Sequence, residues 1–212
     1  MARKLFYHCC RFLLWILFKT LFFYQAHHGQ KLPEGGFIIA ANHLSFLDPI
    51  AVCLGLKRRI GFMAREDLFD AGLFSWLIMG LNSFPIKRDG ADIQALKEAV
   101  NRLKKGEIIL VFPEGTRSRT GTLQPGQAGI GLIAAHAHVP VIPVYIYGTN
   151  RAMPRGGHAF RLFTKIDVYF GTPITIDKLN VNIRPQRRYQ KFADIVMSEI
   201  AKTGKGHADK TG

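Results

Sequence analysis

The sequence predicts an α/β domain in which helices flank a mixed central sheet. Apolar runs of strand length, at residues 37–41, 60–64 and 107–112, alternate with segments whose apolar residues recur at helical spacing. Turn residues separate them, and this alternation favours one layered sheet over all-helical or all-strand units. The 212 residues suffice for one well-buried core, and no long linker divides them. The expected organisation is an amphipathic membrane-anchoring helix and connection over residues 1–30, one enzyme-sized domain over 31–201, and an unstructured basic tail over 202–212.

The N-terminal segment is apolar from Leu5 to Tyr24. Lys4, His8, Arg11, Trp15 and Lys19 are spaced by four, three, four and four residues, so they share one side of a helix whose other sides carry Leu, Ile and Phe. The longest uncharged run is residues 12–18, short of the roughly 20 apolar residues a bilayer crossing takes, and a central Lys or Arg is costly at mid-depth. The pattern predicts a helix lying in or partly inserted into a membrane interface. No small-residue cleavage site of a signal peptide follows.

Residues 27–36 read as a solvated Gly/Pro-containing loop, with His27 and His28 lacking companions at metal-ligand spacing. Residues 37–41 form a buried strand, after which Ser45 or Asp48 is expected to cap a helix running to Leu56 with Pro49 in its first turn. A second strand at 60–64 precedes a helical stretch near 73–80, and residues 83–88 are extended. Residues 91–105 place Ile93, Leu96, Val100 and Leu103 on one helical face, ended by Gly106. Residues 107–112 are the clearest central strand, because the run is continuous and bounded by turn residues. A helix at 128–138 follows, then a strand region at 139–146 whose prolines favour an edge or a bend. A late strand within 161–170 and a terminal helix at 186–201 complete the chain.

Lys and Arg number 29 against 15 Asp and Glu, a net charge of +14 that favours anionic partners: lipid headgroups, coenzyme phosphates, an acidic carrier protein or nucleic acid. No helix-turn-helix, zinc finger or RNA-binding aromatic motif is present, so nucleic acid is not the expected partner. Cys9, Cys10 and Cys53 have no disulfide or metal spacing, which predicts buried, reduced thiols in a cytosol-facing protein.

Two stretches carry chemistry. In Asn42-His43-Leu44-Ser45-Phe46-Leu47-Asp48-Pro49, His43 is a proton acceptor at neutral pH and Asp48 a carboxylate able to orient it, provided a strand-to-helix turn brings them together. An ordinary helix start would use Asp48-Pro49 in the same way. In Phe112-Pro113-Glu114-Gly115-Thr116-Arg117-Ser118, Gly115 permits a tight turn, Thr116 and Ser118 donate hydrogen bonds, and Arg117 suits a phosphate. Glu114 would bind a substrate hydroxyl or orient Arg117, and a solvated basic turn is the plain alternative. Lys87-Arg88 adds a second cationic pair after the strand at 83–86, equally compatible with a surface turn.

Taken in order, these stretches resemble the blocks of the lysophosphatidic acid acyltransferase family, the 1-acylglycerol-3-phosphate O-acyltransferases. Residues 42–48 match its His-four residues-Asp block, 84–88 the block ending in a substrate-binding arginine, 112–118 its phosphate-binding block, and 139–144 its Pro-containing hydrophobic block. The likeness spans about residues 36–171. Leu123-Gln124-Pro125-Gly126 departs from the Phe-Lys-containing approach many members have, which bears on headgroup preference.

The resemblance implies a glycerolipid acyltransferase-like fold, with residues 31–201 as the acyltransferase domain. It implies transfer of a fatty acyl group from acyl-CoA or acyl-acyl-carrier-protein to the sn-2 hydroxyl of lysophosphatidic acid, giving phosphatidic acid. His43 would be the base and Asp48 its orienter, while Lys87, Arg88, Glu114, Gly115, Thr116, Arg117 and Ser118 would bind substrate. No metal or resident cofactor is expected, and anionic membrane lipids are expected partners at the cytoplasmic face of the cell membrane. Glycerol-3-phosphate or a lyso-ornithine lipid is the alternative acceptor. A noncatalytic protein binding anionic membranes or nucleic acid is the alternative class.

Overall fold

Strand β2 (Phe37–Ala41) is buried on both faces, which is why its sequence is an unbroken apolar run rather than an alternating one. Phe37, Ile39 and Ala41 point into one core and Ile38 and Ala40 into a second on the opposite side. The computed structural model describes residues 2–65, 83–86, 93–156, 159–179 and 184–208. The helical stretch expected near 73–80 and the pair Lys87-Arg88 lie outside the described residues.

Around β2 the described residues form a seven-stranded sheet. Its strands are β1 (Gln25–His28), β2, β3 (Ile60–Arg65), β4 (Ser83–Ile86), β5 (Ile108–Val111), β6 (Val141–Tyr147) and β7 (Asp167–Phe170), in the order β1-β7-β6-β2-β5-β3-β4. Strands β6, β2, β5, β3 and β4 run parallel; β7 is antiparallel to β6 and parallel to β1. The mixed sheet expected from sequence is therefore present.

Helices α1 (Ala2–Phe22) and α2 (Asp48–Leu54) cover one face. The other face carries α3 (Ile93–Lys104), α4 (Gly129–Ala137) and α6 (Pro185–Ala208), with a short α5 (Thr149–Ala152) after β6. On α3 the buried positions are Ala95, Ala99 and Leu103, while Ile93 is exposed. The helix turns its small residues inward because α4 and β5 approach closely there.

Five further sequence expectations are corrected. Residues 27 and 28 belong to edge strand β1 rather than a loop; His27 Nε2 meets buried Asp167 Oδ1 at 2.8 Å, and His28 Nε2 meets the Gly55 carbonyl at 2.9 Å. Strand β6 is interior despite Pro143. The chain opposite carries one extra residue between the Val141–Ile174 bridge and the Val144–Phe170 pair, and in that bulge the Gly171 N–H donates to the Pro143 carbonyl at 2.8 Å. The missing proline N–H thus faces irregular chain instead of a ladder. Helix α6 continues through Ala208, so residues 202–208 are helical rather than an unstructured tail. Cys53 is buried, and burial pushes its thiol up to about 12, but Cys9 is exposed.

The fifth correction concerns α1. Arg11 leaves the expected cationic stripe and turns inward, donating to the carbonyls of Cys53 (3.3 Å) and Leu54 (3.2 Å). These are carbonyls at the C-terminal end of α2, where a cation is favoured. Tyr7, Phe18 and Phe22 bury the same side, whereas Phe12, Leu13, Ile16 and Leu17 are exposed. Among the described residues no helix is long and apolar enough to cross a membrane.

Candidate active site

Neighbouring parallel strands β2 and β5 end in register, Ala40 beside Val111, so the segments that follow them meet at the carboxyl edge of the sheet. This is how His43 and Glu114, 71 residues apart, come into contact. The His43 backbone is held through both its N–H and its carbonyl. Its N–H donates to Glu114 Oε1 at 2.9 Å, and its carbonyl accepts the Ser118 N–H at 2.8 Å.

The turn from β2 into α2 is built on Asp48. Its carboxylate is buried, and Oδ2 accepts the N–H groups of Leu44 (2.6 Å) and Ser45 (2.7 Å) while lying 2.8 Å from His43 Nδ1. These contacts replace the expected helix cap: Leu47 is the N-cap residue with no side-chain hydrogen bond, and α2 ends at Leu54, short of Leu56. Asp48 occupies the first turn of α2, with Pro49 beside it as expected; a helix N-terminus favours negative charge there. Because Nδ1 faces a carboxylate already committed as acceptor, the imidazole proton belongs on Nδ1 and the lone pair on Nε2. The ring stacks on Phe112, with centroids 3.9 Å apart and planes inclined by 14°.

Asn42 fixes the dyad from the other side. Its buried amide donates to the Ile146 carbonyl (3.0 Å) and accepts the Ile146 N–H (2.7 Å), reproducing a rung of β-ladder beyond the end of β2. Nothing in the local sequence gives this residue a role; the neighbouring strand, 104 residues on, supplies one.

Of the expected phosphate-binding residues, Thr116, Arg117 and Ser118 line an open pocket of about 350 Å³ together with Arg119, Thr120, Gln124 and Arg155. Gly115 has φ +71°, a backbone conformation that residues with a side chain rarely adopt, so the turn favours glycine. Arg117 lies over the Phe46 ring, its guanidinium carbon 3.6 Å from the centroid. Glu114 and Ser118 turn their side chains to the chain itself. Glu114 accepts the amides of His43 and Gln124 (3.2 Å), and Ser118 Oγ accepts the Gly121 N–H (3.1 Å). Burial raises the Glu114 carboxyl above its ordinary range, and the two amide N–H groups oppose that shift.

Arg155 was not singled out in the sequence. It follows α5, and its guanidinium donates to the Arg117 carbonyl while lining the same pocket. No motif surrounds it. It reaches the site because β6 lies beside β2, so the chain leaving β6 emerges at the same sheet edge.

Comparison with known proteins agrees with this arrangement. The fold matches the crystal structure of the 1-acyl-sn-glycerophosphate acyltransferase PlsC from Thermotoga maritima with a TM-score of 0.69 and 28% identity, over 93% of this chain and 79% of that one. The model of the family described as Acyltransferase matches residues 24–147. The chain belongs to this acyltransferase family, that of the lysophosphatidic acid acyltransferases. It is 33% identical over 139 residues to the chloroplastic 1-acyl-sn-glycerol-3-phosphate acyltransferase BAT2 of Brassica napus, a match covering 65% of this chain and 40% of the plant protein. With the 1-acyl-sn-glycerol-3-phosphate acyltransferase of Bacillus subtilis the identity is 28% over 152 residues, covering 71% of this chain and 73% of that protein.

Proposed function

We propose that this protein transfers a fatty acyl group from acyl-CoA or acyl-acyl-carrier-protein to the sn-2 hydroxyl of lysophosphatidic acid. The observation that carries the reading is the Asp48–His43 pair beside a pocket lined by Arg117, Arg119 and Arg155, joined to it through the Ser118–His43 hydrogen bond. The arginines hold the phosphate, which leaves the glycerol hydroxyl to reach His43 Nε2. As the hydroxyl oxygen attacks the thioester carbonyl, its proton passes to Nε2, and Asp48 stabilises the resulting imidazolium. The tetrahedral adduct then expels the thiolate, which takes the proton back from His43. Phosphatidic acid and the free thiol result. No metal or resident cofactor enters these steps.

The reading includes location at the cytoplasmic face of the cell membrane. Its support is α1, with Phe12, Leu13, Ile16 and Leu17 exposed on the side away from the protein and exposed Lys19 beside them.

A matrix of acyl donors against acceptors, assayed in detergent and in liposomes and read by product mass, tests the assignment. Lysophosphatidic acid is expected to be the preferred acceptor. Faster turnover of glycerol-3-phosphate or a lyso-ornithine lipid would replace it, and failure to discharge any thioester would reject an acyltransferase altogether.

A further inference from the structure

The exposed apolar face does not stop at α1. Phe160 is 54% exposed, Leu162 47% and Phe163 67%, all on the connection between α5 and β7. This loop is fastened to the end of α1: the Phe163 N–H donates to the Leu21 carbonyl (2.6 Å), the Ile166 N–H to the Phe22 carbonyl (3.0 Å), and the Phe163 ring lies 6.2 Å from that of Phe23. Phe23 and Phe163 also have positive φ, 45° and 61°. Bulky residues rarely adopt this conformation, which carries strain that the surroundings must sustain. Here two such residues face each other with both rings in the open, an arrangement that burial does not reward in an isolated chain.

Charge selects what covers this surface. Residues 1–33 and 149–166 contain no acidic residue, while Arg161 and Lys165 alternate with the apolar side chains of the loop. Exposed aromatics interleaved with cations suit an anionic lipid surface, the rings among acyl chains and the cations among headgroups.

We propose that residues 159–166 form a second membrane-contact element, which inserts Phe160, Leu162 and Phe163 into an anionic bilayer beside α1. The inference rests on the membrane location proposed above and adds to it a second point of contact, which fixes the protein's orientation on the bilayer. The loop is also tied to the catalytic turn. The Arg161 N–H donates to the Ala152 carbonyl (2.8 Å), and the next carbonyl, that of Met153, accepts the Ser45 hydroxyl (2.9 Å). Insertion therefore sets the height of the His43 turn relative to the lipid.

The test uses the full chain and vesicles of phosphatidylcholine with or without phosphatidylglycerol. The paired change Phe160→Ser and Phe163→Asn, with Asn chosen because it tolerates positive φ, is expected to weaken partitioning onto the anionic vesicles about tenfold or more. Turnover of short-chain, water-soluble substrates is expected to stay unchanged. In Phe163→Trp, brominated lipid is expected to quench fluorescence beyond the level seen in the parent, a readout that holds even if the paired variant fails to fold. Unchanged partitioning, or no added quenching, overturns the loop's role. If Phe12→Ser with Leu13→Ser abolishes partitioning while the loop changes do nothing, the membrane location stands and this inference fails. If neither pair matters, the location itself fails. Loss of self-association in place of vesicle binding would assign the surface to a second copy of the chain.

Discussion

His43 owes its usefulness to what surrounds it. Asp48 holds Nδ1, Glu114 and Ser118 hold the peptide, and Phe112 holds the ring plane, so Nε2 has one direction. Replacing His43 with Ala is expected to lower kcat about 10²–10⁴-fold with little change in acceptor KM, measured by steady-state acyl transfer. Arg155 is expected to act on binding instead. Arg155→Ala should raise KM for a phosphate-bearing acceptor about tenfold, the scale of one charge-assisted hydrogen bond; an unchanged KM would remove it from the pocket's function. Glu114 makes a prediction about pH. Its folded-state pKa is raised, so the folded protein holds that proton more tightly than the unfolded chain does, and stability falls as pH rises from the ordinary carboxylate range through the raised value. Relative to the parent, Glu114→Gln should therefore gain stability between acidic and neutral pH in urea titrations. A parallel pair of curves would show that Glu114 ionises as in water.

Individual elements here are joined by side chains that imitate main chain. Asn42 extends the β2–β6 pairing past the point where β2 turns away toward His43, and it does so with two buried hydrogen bonds. Asn42→Ala would leave the N–H and C=O of Ile146 without partners, and the expected loss is about 2–4 kcal/mol of unfolding free energy by denaturant titration. Arg11 performs a related task for α1, satisfying the last carbonyls of α2. These joints lie at the ends of elements. Sequence periodicity describes the middles of helices and strands, which explains why α3, α4, β2 and β5 were legible while the cap of α2, strand β1 and the inward turn of Arg11 were not.

The whole molecule carries +14, and much of that charge has no acidic neighbour in sequence. Attraction to an anionic bilayer at long range should weaken as salt shortens the screening length from about 30 Å at 0.01 M to about 8 Å at 0.15 M. Partitioning onto phosphatidylglycerol-containing vesicles is expected to fall across that interval, while the smaller partitioning onto phosphatidylcholine stays level. Salt-insensitive binding to both would make the apolar face sufficient and the charge incidental. The same scale explains the pocket. Arg117 and Arg155 come from chain leaving β5 and β6, which flank β2, so the segments after three consecutive strands of the sheet bring the His43 imidazole and the cations to one edge.

By itself the sequence determined the alternation of strands and helices, the family, the His43 and Asp48 pair, and the glycine-dependent turn before Arg117. Each is a local property, fixed by residue type and spacing within a few positions. Tertiary structure alone decided that Glu114 serves His43's backbone, that Arg155 enters the pocket, that Pro143 sits in an interior strand, and that Phe160 to Phe163 join α1 in one exposed face. Those outcomes depend on which strands lie side by side, and strand order is set by the packing of two cores against both faces of the sheet, a condition no short stretch of sequence contains.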